Sequence, residues 1–314
     1  MTNRVFAAGL CGLLGAAALA TGACAQAVPP TPTAAQAAAA DVRQGQYVTV
    51  NGARIFYQVA GTGTPLLLIH GFPLSGALFQ GQLAGLSDRF QVITPDLRGF
   101  GKSSTPSPYG SIEQYTSDIL AFMNALHIQR AVIGGHSMGG QITLELYHQA
   151  PQRFLGMLLI DTNPMAASVI EQAMWPAVGA QVQKEGVPSI VSTVKPQMLT
   201  GTGRTGSPAL AAEMADILAE GSVNGVVGGG AALATRPDFT TMLHAITVPT
   251  LVLVGVDDPI YSLEVSTMTH NGIPFSRLVV LPQAEHASIF EQPALANAAI
   301  TQWAAASRIL ATAR

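Results

Sequence analysis

The stretch Gly135-His136-Ser137-Met138-Gly139 decides how this chain reads. It fits the pattern Gly-x-Ser-x-Gly. The apolar segment Arg130–Gly134 leads into it, and a helical pattern from Gly140 to His148 follows. The predicted context is a strand, a sharp turn and a helix, the setting in which a serine is lifted clear of a sheet and becomes a nucleophile. The glycines suit that geometry, because so tight a turn brings strand and helix backbones together and side chains beside the serine would collide. The hydroxyl would also lie near the positive end of the helix dipole. On its own, the pentapeptide could equally be a glycine-rich turn around a buried serine, since glycine supplies 32 of the 314 residues.

The flanking sequence separates these readings. Gln46–Val50 and Ala53–Val59 enclose Asn51-Gly52, a strong short-range hairpin signal. Pro65–His70 is a continuous apolar run, as expected for a strand covered on both faces, Leu155–Asp161 reads as another buried strand, and Phe90–Asp96, Val248–Gly255 and Ser276–Leu281 read as further strands. Helical patterns alternate with them: Gln80–Leu86, a helix opened by Ser111 and running to about His127, Leu263–His270, and Gln292–Ala306. This alternation predicts an α/β fold with a mostly parallel eight-stranded sheet, flanked by helices and edged by the antiparallel hairpin. The rhythm breaks between residues 164 and 244. There the pattern is helical with Gly/Thr turns, Gly201–Pro208 reads as a loop and Val226–Gly230 as a flexible stretch. We read 164–244 as a helical cap over a core made of 45–163 and 245–314.

Bulk properties agree with one large α/β domain. Hydrophobic residues make up 48% and charged residues 11%, enough for a sizeable core. The formal charge of −3 argues against a nucleic-acid partner. The seven histidines form no Cys/His cluster and no His-Glu-x-x-His helix, so neither a metal nor another cofactor is expected.

The N-terminus reads as an export signal over residues 1–27. Arg4 precedes an apolar run from Val5 to Ala20, and Ala25-Gln26-Ala27 has the form of a cleavage site. Thr21-Gly22-Ala23-Cys24 offers a second route, lipidation of Cys24, which would be the chain's only membrane attachment. Residues 28–44, rich in Pro, Thr and Ala, read as a disordered linker. Either way the mature chain keeps at most one cysteine. It therefore has no internal disulfide and no cysteine nucleophile. The expected location is periplasmic or secreted.

Ligands of open parallel sheets bind beyond the carboxyl ends of the strands. Those ends present His70 and Phe72, Asp96 and Arg98, Ser137, Asp161, Asp257 and Asp258, and finally His286. A serine needs a neighbouring base, and His286 follows the last strand, so its loop can fold back over the sheet edge. His127, His148, His244 and His270 read as surface residues, and Glu113 and Glu145 as solvated helix positions. The base needs an orienting carboxylate. Periodicity does not choose between Asp257 and Asp258, and Asp161 stands one strand earlier. Asp96 and Arg98 read as structural charges that tie down the loop after their strand, and His70 as a brace.

From Gln46 to Ala306 the chain resembles the α/β-hydrolases, especially their capped esterases, enol-lactonases and cofactor-free haloperoxidases. His70-Gly71-Phe72-Pro73, Asp96–Ser103, the serine turn, Gly255-Val256-Asp257-Asp258-Pro259 and Glu285-His286-Ala287 carry the resemblance, in that order. It implies a catalytic triad of Ser137, Asp258 and His286, with Asp258 preferred because the family's acid usually stands there relative to Gly255. It implies an oxyanion hole from the backbone N–H groups of Phe72 and Met138, and a pocket lined by Phe72, Met138 and Trp175. Met165, Met174, Met198 and Met214 could roof that pocket or simply pack the cap. The implied substrate is a small or medium ester or lactone. The alternatives are perhydrolysis by the same triad and a non-catalytic binding protein on the same fold.

Overall fold

The computed structural model describes residues 45–105, 110–201, 203 and 207–310. The export signal, Cys24 and the linker lie outside the described residues, as does part of the Gly201–Pro208 segment. The strands are β1 (Gln46–Val50), β2 (Ala53–Ala60), β3 (Thr64–Ile69), β4 (Phe90–Pro95), β5 (Ala131–His136), β6 (Phe154–Ile160), β7 (Thr250–Gly255) and β8 (Ser276–Leu281). They form one 8-stranded sheet in the order β1-β2-β4-β3-β5-β6-β7-β8. The β1–β2 and β2–β4 pairs are antiparallel, and every other pair is parallel. Asn51 and Gly52 turn the β1–β2 hairpin, both at positive φ.

Helices α1 (Gln80–Leu86), α2 (Ile112–Ala125) and α3 (Met138–Gln149) connect the strands up to β6. Ser111 caps α2 by accepting from Gln114 N–H, and the helix closes at Ala125, just short of His127. After β7 come α8 (Leu263–Gly272), the short α9 (Ser288–Glu291) and α10 (Pro293–Ala306). Two apolar cores result, one on each face of the sheet. Ile133, Leu159 and Phe122 belong to one, Leu158, Leu253 and Trp303 to the other. Glu145 departs from its expected solvated position: it is 7% exposed, on a helix buried along most of its length, and accepts from Gln149 at 2.6 Å.

Between β6 and β7 the described residues form α4 (Val169–Glu185), α5 (Pro188–Met198), α6 (Pro208–Ala219) and α7 (Val223–Ala234), and no strand. Ser168 and Glu171 make a reciprocal capping box at the start of α4. The Val226–Gly230 run is not the flexible stretch expected. It lies inside α7, with Gly228, Gly229 and Gly230 buried. The missing side chains are what permit this packing. A Cβ on Gly229 would stand 2.7 Å from the Phe72 ring, and one on Gly230 3.2 Å from the Trp175 carbonyl. Glycine's cost to helix propensity, about 1 kcal/mol each, is offset by this close approach.

These helices are fastened to the sheet at several points. Ser222 donates from both N–H and Oγ to Gly99 O, each at 3.0 Å. Ser75 Oγ donates to Glu220 Oε2 at 2.8 Å. Arg236, 3% exposed, bonds Met165 O and pairs with Glu171.

Candidate active site

The serine turn is enforced by sterics. Ser137 has φ +53° and ψ −119°, between the end of β5 and the first turn of α3. A Cβ on Gly135 would fall 1.9 Å from Gly139 O, and one on Gly139 2.1 Å from Ile69 O. Both clash with backbone, which cannot move aside as a side chain could, so both positions require glycine. The serine is held off its preferred backbone region at a cost of about 1–3 kcal/mol, a pattern typical of functional sites.

The structure brings Ser137, His286 and Asp258 together. His286 Nε2 lies 3.0 Å from Ser137 Oγ, and His286 Nδ1 lies 2.9 Å from Asp258 Oδ2. The network assigns the proton to Nδ1, which donates to the carboxylate, so Nε2 is left to accept from the serine hydroxyl. Asp258 Oδ1 accepts from Ile260 N–H at 2.8 Å and Tyr261 N–H at 3.0 Å. Burial alone would raise this carboxyl's pKa. The facing His286 and the backbone donors outweigh it, and the group sits below its usual value, ionised. Asp257 is exposed and points its N–H at Ala284 O. Asp161 is wholly buried and accepts instead from Gly255 N–H and from Ser288 N–H and Oγ. Burial and the neighbouring Asp258 push its pKa well up.

Met138 opens α3, and Phe72 stands in the loop after β3. Among the described residues neither N–H meets an acceptor within the chain. Beside Ser137 and His286 is a cavity of about 60 Å³, lined by Phe72, Trp175, Met198, Leu233, Ile260 and Tyr261 among others. Phe72 and Trp175 meet edge to face, with centroids 5.3 Å apart. Met138 differs from Phe72: it is 0% exposed, belongs to the core and is not among the residues that line this cavity. Of the cap methionines, Met198 lines the cavity, Met214 is buried in the core, and Met165 and Met174 are exposed. A larger open hollow of about 830 Å³ lies along α8 and includes Asp258, but neither Ser137 nor His286 lines it.

Around this centre the other strand ends are structural. Asp96 accepts from Gly76 N–H and Lys102 N–H, both at 2.8 Å, and burial raises its pKa to about 6. Arg98 makes a two-pronged ion pair with Asp118, at 2.5 and 2.7 Å. His70 accepts from Leu97 N–H at 2.8 Å and bonds Gly71 O, and burial lowers its pKa to about 4. The residue that sequence reasoning did not single out is His136. Its Nε2 donates to His286 O at 2.6 Å, its Nδ1 has no partner, and burial together with the nearby His286 lowers its pKa to about 3. No local pattern marks this role, because the acceptor lies 150 residues away.

Residues 64–293 match a family model described as the alpha/beta hydrolase fold. A 3-oxoadipate enol-lactonase from Acinetobacter baylyi is 33% identical over 225 residues, covering 71% of this chain and 82% of that protein. A putative non-heme chloroperoxidase from Synechocystis is 31% identical over 77% of this chain and 93% of its own. Among solved structures, a thermophilic esterase from Thermogutta terrifontis superposes with a TM-score of 0.81 at 31% identity, covering 84% of this chain and 99% of that one.

Proposed function

The chain belongs to the α/β-hydrolase family, and on that premise we propose that it cleaves small, uncharged carboxylic esters or lactones through an acyl-enzyme on Ser137. The unbroken chain of contacts from Ser137 Oγ through His286 to Asp258 carries this reading. In the proposed reaction Ser137 Oγ attacks the carbonyl carbon while its proton passes to His286 Nε2. Asp258 orients the ring and stabilises the imidazolium. The carbonyl oxygen takes up the negative charge and receives hydrogen bonds from Phe72 N–H and Met138 N–H. As the tetrahedral species collapses, His286 returns the proton to the leaving alkoxide. Water then enters, is deprotonated by His286, and releases the acid and the free serine.

The cavity supports the choice of substrate. At about 60 Å³ it holds only a short group, and among the described residues no Lys or Arg lines it, so a carboxylate tail would meet no cationic partner among them. Perhydrolysis, in which peroxide replaces the water, would use the same residues. The likeness to a putative chloroperoxidase keeps it as a second activity. The Ala25-Gln26-Ala27 signal further leads us to propose that the protein is exported.

The test is hydrolysis of p-nitrophenyl acetate by wild type and Ser137→Ala, run beside labelling with a fluorophosphonate. Wild type should hydrolyse and label; the variant should do neither. Equal rates in both, or a wild type that takes no label, would overturn the proposal.

A further inference from the structure

Each of four consecutive residues around His286 is pinned by a different part of the chain. Glu285 N–H donates to Glu291 Oε2 at 2.8 Å. His286 O accepts from His136 Nε2 at 2.6 Å. Ala287 N–H donates to Met198 O at 2.9 Å. Ser288 N–H and Oγ donate to Asp161. Two of these anchors lead to one place. Met198 ends α5 and lines the cavity. Next to it, Thr200 donates from both N–H and Oγ1 to Glu291 Oε1, each at 2.8 Å. Thr200 Oγ1 in turn accepts from Gly203 N–H at 2.9 Å. A Cβ on Gly203 would stand 2.3 Å from Glu291 Oε1, so Gly203 itself lies directly against the carboxylate.

We propose that Glu291 is a positioning residue that joins the cavity wall at Met198 to the loop of His286, so that the group selecting the substrate and the base acting on it move as one. The inference rests on the serine-hydrolase reading above. One oxygen of Glu291 holds the backbone immediately before His286, and the other holds the backbone two residues after Met198. The two oxygens of one carboxylate thus tie the two backbones to each other. Releasing it leaves the Ala287–Met198 and His136–His286 bonds to hold the two sides without the bridge, which gives His286 more play relative to Ser137 and Met198 more play at the cavity wall. The first effect slows the chemistry. The second admits longer acyl groups.

The experiment compares Glu291→Ala, Glu291→Gln and Thr200→Val with wild type on p-nitrophenyl acetate and hexanoate, with active sites counted by fluorophosphonate titration. Glu291→Ala should lower kcat per titrated site on acetate by about 10²-fold, the scale of a small misplacement of a catalytic group. It should also narrow the acetate-over-hexanoate preference in kcat/KM by about tenfold, the lower end of what a misfitting methylene costs in a closed pocket. Glu291→Gln keeps a single acceptor oxygen and should fall between Glu291→Ala and wild type. Thr200→Val, which approaches the same link from the cap side, should narrow the preference in the same direction. Loss of stability alone would reduce the number of titratable sites but leave kcat per site and the preference unchanged. That result in Glu291→Ala overturns the inference. If Glu291→Ala does not fold, a wild-type preference in Thr200→Val overturns it. A wild type that neither labels nor hydrolyses defeats the underlying reading instead.

Discussion

Asp258, and neither of the two other carboxylates at these strand ends, faces His286 Nδ1, at 2.9 Å. Asp257 is its neighbour in sequence but turns to solvent, and Asp161 spends its oxygens on Gly255 and Ser288. The three should therefore separate cleanly by mutation. Asp258→Asn is expected to lower kcat by about 10⁴-fold, because the amide stabilises the wrong imidazole tautomer. Asp257→Asn should leave kcat within a factor of about two, as for an exposed site away from any network. Asp161→Asn disturbs the Ser288 contacts and should fall between them. A steady-state series on one ester checks this, and a Asp257→Asn enzyme as dead as Asp258→Asn would reverse the assignment.

Strain at the proposed nucleophile gives a second prediction. Ser137 is a non-glycine residue at φ +53°. Replacing it with glycine removes the backbone penalty along with the hydroxyl. Ser137→Gly should therefore be inactive and yet more stable than wild type, by up to about 1–3 kcal/mol. Chemical denaturation measures it, and a variant less stable than Ser137→Ala would contradict the strain argument.

Much of this arrangement could be read from the sequence, and the boundary of legibility has a physical basis. Ligands of a parallel sheet bind beyond its carboxyl strand ends, so Ser137, the Asp257/Asp258 pair and His286 could be picked out by following apolar runs into the loops just beyond them. The choice between Asp257 and Asp258 was not legible that way. It depends on the turn that buries one carboxylate against Ile260 and Tyr261 N–H, and only the family resemblance pointed to it. His136 and Glu291 were invisible for another reason. His136 meets His286 across 150 residues and Glu291 meets Thr200 across 91, and bonds across such separations leave no periodicity or motif. Glu145 was misread because its helix is covered on nearly all sides, so the usual rule that a helical glutamate faces water failed.

Buried titratable groups outside the proposed triad bear on the acid stability. His70 and His136 have pKa values lowered by burial to about 4 and about 3, against 6.5 unperturbed. Between those limits the unfolded chain binds protons that the folded chain does not, so stability falls as pH drops below about 6.5. Asp96 opposes this. Burial raises its pKa from 3.8 to about 6, so in that window the folded state binds the extra proton and its contribution weakens as pH rises. Asp96→Asn removes the opposing contribution. Its Tm should therefore fall more steeply than wild type's between pH 6 and pH 4, a range set by the values just given. Scanning fluorimetry across that range provides the check, and parallel curves would count against it.

The proposed export makes a prediction about mass. If Ala25-Gln26-Ala27 is the processing site, the mature protein begins at Val28. Expression of the full chain in a bacterial host, followed by intact mass measurement of the periplasmic fraction, should return that species. A product starting at Cys24 and carrying fatty acids would favour the lipid-anchored route instead. A full-length product would exclude both.

Two glycines, one in α4 and one in α7, yield the last prediction, because their different surroundings should make them respond in opposite ways. Gly179, in α4, has only Val227 near its missing Cβ, at 3.7 Å, which is ordinary contact. Gly179→Ala should stabilise the protein by up to about 1 kcal/mol through helix propensity and leave activity unchanged. Gly229, in α7, would place its Cβ 2.7 Å from the Phe72 ring and 2.9 Å from Phe100. Both rings are packed in the core, and Phe72 also supplies a proposed oxyanion donor, so neither can yield without moving the loop after β3. Gly229→Ala should therefore lose about tenfold or more in kcat despite the gain in helix propensity, since small displacements of a catalytic donor are costly. Paired kinetics and melting curves on the two variants check the contrast. Equal behaviour would mean that Phe72 tolerates displacement and that the contact between α7 and the Phe72 loop does not hold the donor in place.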